Sequence, residues 1–259
     1  MLELNTKDYG DPDLPPMVLL HGLFGAKSNW GSVARFLSET YHVVVPDLRN
    51  HGQSPHHPEH SYAAMVADLL QLLDAMAIEH ATFVGHSMGG KVAMHLALTH
   101  PGRAERLAVV DIAPVDYGHD FDQVLAGFRA VDLATIQNRA DADRQMAASV
   151  GIVGVRAFLL QNLVKGADGW TWRLNLEALE NAQMDITGFP QPADGAVYPG
   201  PTHFIYGDQS DYVKPAYEDA IERLFPNYTM CAVANAGHWV YAEQPQGFAD
   251  CIQRFLSDG

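Results

Sequence analysis

Ala81-Thr82-Phe83-Val84-Gly85-His86-Ser87-Met88-Gly89-Gly90-Lys91 opens as an apolar, β-prone run and closes on a serine set between glycines. From there to residue 100 the apolar side chains recur at helical spacing, and Pro101-Gly102 ends the run. A serine on so tight a strand-to-helix turn stands exposed at the top of a sheet. Its neighbours two positions away must be small, because strand and helix backbones almost touch there. The N–H of Met88 then lies at a helix N-terminus, facing any negative charge that develops beside the serine. Ser87 is therefore the candidate nucleophile.

Residues 85–91 also spell G-x-x-x-x-G-K, the outline of a phosphate-binding loop. Such a loop needs a Ser or Thr after the lysine to hold Mg²⁺, and Val92 stands there instead. A nucleotide site is excluded on that side chain.

On both sides of the turn, short apolar runs alternate with segments of helical period. Residues 16–21, 41–46, 81–85, 106–111, 202–207 and 228–233 read as strands, apolar along their length and polar only at their ends. That pattern suits a parallel sheet covered on both faces. Ser61 is placed to cap a helix whose Met65, Leu69, Leu72, Leu73 and Met76 form one stripe. Residues 88–100, 215–225 and 246–256 read as further helices. The alternation implies an open α/β sheet with crossover helices. Residues 116–200 break the rhythm, with no convincing strand and with helical stripes at Phe121/Leu125/Phe128, Leu133/Ile136 and Phe158/Leu159/Leu163. They read as a helical cap, a lid over the strands' carboxyl ends, leaving residues 1–115 and 201–259 as the core.

Length and composition agree with one domain carrying an insert, since 259 residues exceed the roughly 150 of an average domain. Hydrophobic residues at 47% and charged residues at 18% exclude disorder. A net charge of −15 repels phosphate backbones and anionic headgroups, which argues against nucleic acid and polybasic membrane docking. No apolar run approaches the roughly 18 residues of a membrane span. The start, Met1-Leu2-Glu3-Leu4-Asn5-Thr6-Lys7-Asp8, lacks the basic lead and apolar stretch of a secretory leader. Cys231 and Cys251 are accordingly expected as two buried thiols in a reducing cytoplasm.

A serine hydroxyl needs a base, and His238 in Ala236-Gly237-His238-Trp239 is best placed. It follows the last strand and leads to the final helix, and a nucleophile on such a turn is followed in the chain by its acid and then its histidine. His21, His42 and His51 precede the serine. His86 adjoins it but is expected to point away from a base's position, and His95, His100 and His119 read as helix or loop surface. For the acid, Asp111 ends one strand, while Asp208 and Asp211 follow the next. Val110-Asp111-Ile112 would bury its carboxylate, which is expensive without a partner, so Asp111 is favoured.

His21-Gly22-Leu23-Phe24-Gly25 supplies the other half of an oxyanion hole, the Leu23 N–H joining that of Met88. Asp47-Leu48-Arg49-Asn50-His51-Gly52-Gln53-Ser54 reads as an Arg/Asp-braced turn supporting that loop. His51, His56, His57 and His60 sit in a Pro-interrupted loop without the spacing of metal ligands, so no metal site is expected. Phe24, Phe128 and Trp239 are candidates to line a substrate pocket.

These blocks, with Val110-Asp111-Ile112-Ala113-Pro114-Val115-Asp116-Tyr117 and Gly237-His238-Trp239-Val240, make the chain similar to the α/β-hydrolase superfamily. Within it the chain resembles the YbfF-type esterases and the abhydrolase-domain-11 proteins. The resemblance implies the α/β-hydrolase fold, a mostly parallel central sheet flanked by helices, with a helical cap inserted after the strand ending at Asp111. It also implies an esterase or thioesterase for short to medium acyl chains that uses no cofactor, and it supports Asp111. Many superfamily members carry the acid as G-x-x-D after the later strand, but Gly207-x-x-Ser210 holds a serine here, as in this subfamily. Asp208 and Asp211 depart from the subfamily pattern and leave a shared acid role open.

Three rival functions follow. The same triad serves carbon–carbon bond hydrolysis, cofactor-free perhydrolysis and cyanohydrin lysis. A dehalogenase or epoxide hydrolase would need an aspartate where Ser87 stands. A non-catalytic binding module would have lost the nucleophile, base or oxyanion glycines, and all are present.

Overall fold

The protein is described by a computed structural model over residues 1–118 and 120–257; His119 lies outside the described residues. The chain begins with β1 (Thr6–Tyr9), β2 (Pro16–Leu20), α1 (Gly31–Leu37), β3 (His42–Pro46) and α2 (Tyr62–Ala75). It continues with β4 (Ala81–His86), α3 (Met88–Thr99) and β5 (Ala104–Val110). Before the next sheet strand come α4 (Asp122–Ala130), α5 (Arg139–Met146), α6 (Val153–Leu159), β6 (Leu163–Gly166), β7 (Gly169–Trp172), α7 (Leu176–Asn181) and α8 (Gln183–Thr187). The remainder is β8 (Thr202–Gly207), α9 (Glu218–Leu224), β9 (Tyr228–Val233), α10 (Val240–Glu243) and α11 (Pro245–Ser257).

Among the described residues, seven strands form one sheet in the order β1-β3-β2-β4-β5-β8-β9. β1 runs antiparallel to β3, and every other neighbouring pair is parallel. This is the α/β-hydrolase architecture. The strands alternate with period two between two cores. Val18, Leu20, Val44, Phe83, Leu107 and Val109 point to one face, while Met17, Leu19, Val43, Val45, Ala108 and Val110 point to the other. Both faces are apolar because helices cover both, which is why these strands read as unbroken hydrophobic runs. Ser61 caps α2 as expected, its hydroxyl accepting from the Ala64 N–H at 3.2 Å.

Four expectations need correction. β1 was not expected, because Thr6-Lys7-Asp8-Tyr9 is polar and half exposed; an edge strand tolerates that, having a single sheet neighbour. Residues 116–200 do contain strands, since β6 and β7 pair as an antiparallel hairpin. Gly166 and Gly169, which read as mere punctuation, are its closing pair, Gly169 taking φ +115°. Leu133 and Ile136 do not share a helix but fall in the turn between α4 and α5, and Leu163 opens β6 rather than extending a helical stripe. Finally, Cys231 and Cys251 are not free thiols. They are joined as a disulfide, because β9 brings Cys231 within a Cα–Cα distance of 6.0 Å of Cys251 on α11. No helix among the described residues is long and apolar enough to cross a membrane.

The bridge closes a loop across 20 positions of sequence and ties the edge strand β9 to α11. Replacing both cysteines by serine, or reducing the protein, is expected to lower the unfolding free energy by about 3 kcal/mol. Urea titrations with and without reductant measure this, and superimposable curves would refute a stabilising bridge.

Candidate active site

Ser87 sits between β4 and α3 with φ +52° and ψ −119°. A non-glycine residue held there stores roughly 1–3 kcal/mol of strain, which the surroundings must over-determine. They do. The Ser87 N–H donates to Val110 O at 3.0 Å, and Ser87 O accepts from the Lys91 N–H at 3.1 Å. A Cβ on Gly85 would lie 2.3 Å from Gly89 O, and one on Gly89 would lie 2.5 Å from Leu20 O. β2, β4 and α3 therefore meet at backbone distance. The glycines on either side of the serine are demanded by that contact.

Asp111, just past β5, is fully buried with φ +52°. Its Oδ1 accepts from the Gly207 N–H at 3.1 Å, and its Oδ2 accepts from Ser210 Oγ at 2.5 Å and from His238 Nδ1 at 2.7 Å. Asp208 turns instead to the Asn235 N–H at 2.8 Å, and Asp211 is exposed and paired with Lys214 at 2.9 Å. Asp111 is the carboxylate that meets His238. Ser210, in the register where other superfamily members carry the acid, is one of its donors.

Two neighbours fix the imidazole that the sequence did not reveal. The Tyr212 ring stacks on that of His238 at 4.1 Å and 25°. His86 lies beside it, ring centroids 4.7 Å apart, and its Nε2–H donates to His238 O at 2.8 Å. Burial holds His86 well below the usual imidazole range, so it is a neutral donor to the His238 backbone. Its position beside Ser87 was the available signal.

The loop after β2, residues 21–25, is braced by two further neutral histidines. The Leu48 N–H donates to His21 Nε2 at 3.0 Å while His21 Nδ1–H donates to Gly22 O at 2.9 Å. The Phe24 N–H donates to His51 Nε2 at 3.2 Å, and His51 Nδ1–H donates to Arg49 O at 2.9 Å. Burial keeps His21 below and His51 well below the usual range, as acceptors at Nε2 must be. The turn at residues 47–54 is braced by Arg and Asp as expected, but by separate pairs. Arg49 makes a two-pronged pair with buried Asp68, at 2.7 and 2.9 Å. Asp47 takes the Lys27 ammonium at 2.6 Å and the N–H groups of Lys27 and Gln53. From beyond α6, Asn162 Nδ2 reaches down to Phe24 O at 2.7 Å. Among the described residues no cluster of His, Cys, Asp and Glu could hold a metal ion, and His56 Nε2 is taken up by Arg173 O at 2.9 Å.

Ser87 and His238 line one cavity of about 130 Å³ with Leu23, Phe24, Phe121, Phe158 and Trp239. Leu23, Ser87 and Met88 also border a smaller recess beside it. Of the three aromatic residues expected to line a substrate pocket, Phe24 and Trp239 border this cavity and Phe128 does not reach it. It is buried behind Phe24 at 5.4 Å and edge-on to Trp172 at 4.9 Å, because that side of α4 faces the core. Phe121 and Val124 occupy the place expected of Phe128. Outside the cavity a groove of about 620 Å³ shares Asn29, Val155, Phe158, Trp239 and Tyr241 with it.

A serine on a strained strand-to-helix turn, and a half-buried imidazole on the same cavity backed by a buried carboxylate, are an arrangement suited to acyl-transfer hydrolysis. A family model described as alpha/beta hydrolase fold matches residues 15–152. The chain belongs to the α/β-hydrolase family, among its esterases and lipases. It is 44% identical to the sn-1-specific diacylglycerol lipase ABHD11 of Mus musculus, over 99% of this chain and 85% of that one. It is 40% identical to the esterase YbfF of Escherichia coli (strain K12), over 94% of this chain and 93% of that one. A solved marine microorganism esterase superimposes with a TM-score of 0.95 at 31% identity, covering 98% of this chain and 100% of that one.

Lys91, one turn into α3, is buried and donates to Thr187 O at 2.8 Å and Gly188 O at 2.6 Å. Burial pushes its ammonium down to about 7 against an opposing pull from Asp116. The unfolded chain therefore holds the extra proton between that value and the usual 10.5, so Lys91 makes stability rise with pH across this window. Lys91→Met is expected to abolish that component, read as a flatter dependence of the unfolding midpoint on pH. An unchanged slope would refute it.

Proposed function

We propose that this carboxylesterase-type serine hydrolase cleaves esters, or acyl thioesters, of short to medium acyl chain through an acyl-enzyme, with Ser87 as nucleophile, His238 as base and Asp111 as acid. The observation that carries the reading is the hydrogen bond from buried Asp111 to His238, whose ring lines the cavity that Ser87 also lines. A carboxylate only accepts, so the hydrogen of the imidazole sits on Nδ1 and Nε2 is left to take a proton. Ser87 Oγ attacks the carbonyl carbon as its proton passes to His238. The Leu23 and Met88 N–H groups hold the tetrahedral oxyanion, each worth roughly 3 kcal/mol of the barrier. His238 returns the proton to the leaving alcohol or thiol, and water repeats the cycle on the acyl-enzyme.

A cavity of about 130 Å³ is close to the ~150 Å³ void that accepts one benzene in an engineered core, which suits a short acyl group. Longer chains would extend into the adjoining groove. Residues 116–200 act as the lid, since Phe121, Val124, Val155, Phe158 and Leu159 supply one wall of the cavity. The name of the mouse relative specifies a diacylglycerol lipase, and a glycerol ester is a carboxylic ester of the class proposed.

Ser87→Ala is expected to abolish turnover of aryl esters and labelling by a fluorophosphonate; a variant that still labels would end the proposal. Asp111→Asn should lose about 10⁴ in kcat, the size seen when a triad acid is neutralised. Asp211→Asn should leave kcat unchanged, and equal losses at both positions would remove Asp111 from its role. An acyl-length series on aryl esters and acyl-CoA thioesters reads pocket depth and leaving-group class together. Turnover should be highest for short to medium chains, and untouched aryl esters would point to a lyase.

A further inference from the structure

Two side chains, those of His86 and Glu243, hold the backbone of residues 237–239, and only His86 belongs to the site already described. His86 Nε2 donates to the carbonyl of His238 at 2.8 Å. On the other side, both N–H groups that flank His238 converge on one carboxylate. Glu243 Oε2 accepts from the Gly237 N–H at 2.7 Å, and Glu243 Oε1 accepts from the Trp239 N–H at 3.1 Å. The Glu243 N–H in turn donates to Trp239 O at 2.8 Å, so side chain and main chain of one residue close on the same loop.

The chemistry suits this arrangement. Trp239 is the N-cap of α10, a single turn of helix whose first N–H groups have no intrahelical acceptor. A side-chain carboxylate folding back onto the N-cap N–H satisfies such a donor and complements the positive end of the turn. Here the device brackets an imidazole whose position is critical. Gly207 presses on the same segment from below, since a Cβ there would lie 2.2 Å from Ala236 O and 2.4 Å from Gly237 O. Between Gly207 beneath, His86 at the carbonyl and Glu243 at the two amides, the loop has little room to rotate His238 away from Asp111.

We propose that Glu243 is a positioning residue for His238: it touches no reacting atom but fixes the backbone from which the imidazole projects. The proposal rests on His238 being the base. Glu243 is exposed, so its removal takes no packing out of the core, and a loss of rate without loss of fold is the expected signature. A misplacement of catalytic groups by an ångström can lower a rate by about 100-fold, which sets the scale expected for kcat in Glu243→Ala.

The test uses the full-length enzyme with Glu243→Ala, Glu243→Gln, His238→Ala and the His238→Ala/Glu243→Ala double variant. Aryl-ester kcat and KM, the rate of fluorophosphonate labelling and the thermal midpoint are measured for each. In Glu243→Ala kcat and labelling should fall while KM and the midpoint hold. Glu243→Gln keeps one carbonyl acceptor and should fall between wild type and alanine. In the His238→Ala background, removing Glu243 should cost nothing further, because its effect passes through the imidazole. Wild-type kcat in both Glu243 variants would overturn the proposal, as would a loss that adds in full to that of His238→Ala. Wild-type turnover in His238→Ala would instead remove the base assignment, an outcome visible separately from the Glu243 variants.

Discussion

A carboxylate with no exposure to water must be met by donors, and Asp111 has three from different parts of the chain: the Gly207 N–H at the end of β8, Ser210 in the loop beyond it, and His238 after β9. Removing one partner from such a buried charge is strongly destabilising, so the requirement acts on topology as well as on chemistry. It obliges the carboxyl ends of β5, β8 and β9, adjacent in the sheet, to converge on one point. The same satisfaction that makes burial tolerable fixes the tautomer of His238. Burial of the carboxylate and orientation of the imidazole draw on one set of hydrogen bonds.

The second constraint is close approach. Ser87 holds a left-handed backbone because β2, β4 and α3 meet through glycines that no side chain could replace. Around that contact the loop after β2 is held by His21 and His51, each kept neutral by burial and each turning Nε2 to a backbone N–H. Protonating either would place a second donor against an amide and a charge in a buried site. Neutrality is thus part of the scaffold, because the Nε2 lone pairs of both rings are spent on backbone N–H groups.

What could be read from residues alone follows from which forces are local. Continuous apolar strands, the glycine-flanked serine and the cap at Ser61 are set by neighbours in sequence, and each appears where its pattern points. Asp111 stood out from Asp208 and Asp211 because valine and isoleucine beside it announced burial. β1 was illegible because an edge strand needs no apolar face, and the β6–β7 hairpin because four-residue strands carry too little periodicity. Phe24 and Phe128 look alike in sequence; only the packing of α4 sends one to the cavity and the other behind it. The Cys231–Cys251 bridge depends on α11 docking against β9, a tertiary fact with no trace in the spacing of two cysteines.

The segment between β5 and β8 shares one apolar cluster with the core and is also pinned to it by polar contacts around the site. Asn162 holds Phe24 O in the loop after β2, Asn175 donates its N–H to Asn50 O, and Lys91 on the helix that starts beside Ser87 holds Thr187 and Gly188. Each anchor is a polar side chain or amide satisfying a carbonyl, so each would leave an unpaired group if the segment swung away. The Lys91 contact is the most demanding of them, since its ammonium would lose two acceptors at once beside the Tyr117 ring, 4.7 Å away. Wholesale departure of the segment is therefore opposed at the elbow, at the loop after β2 and at the turn behind it. Within the segment, Val155 and Phe158 of α6 line both the inner cavity and the outer groove and form the partition between them, with Ile152 and Val153 largely exposed at its start.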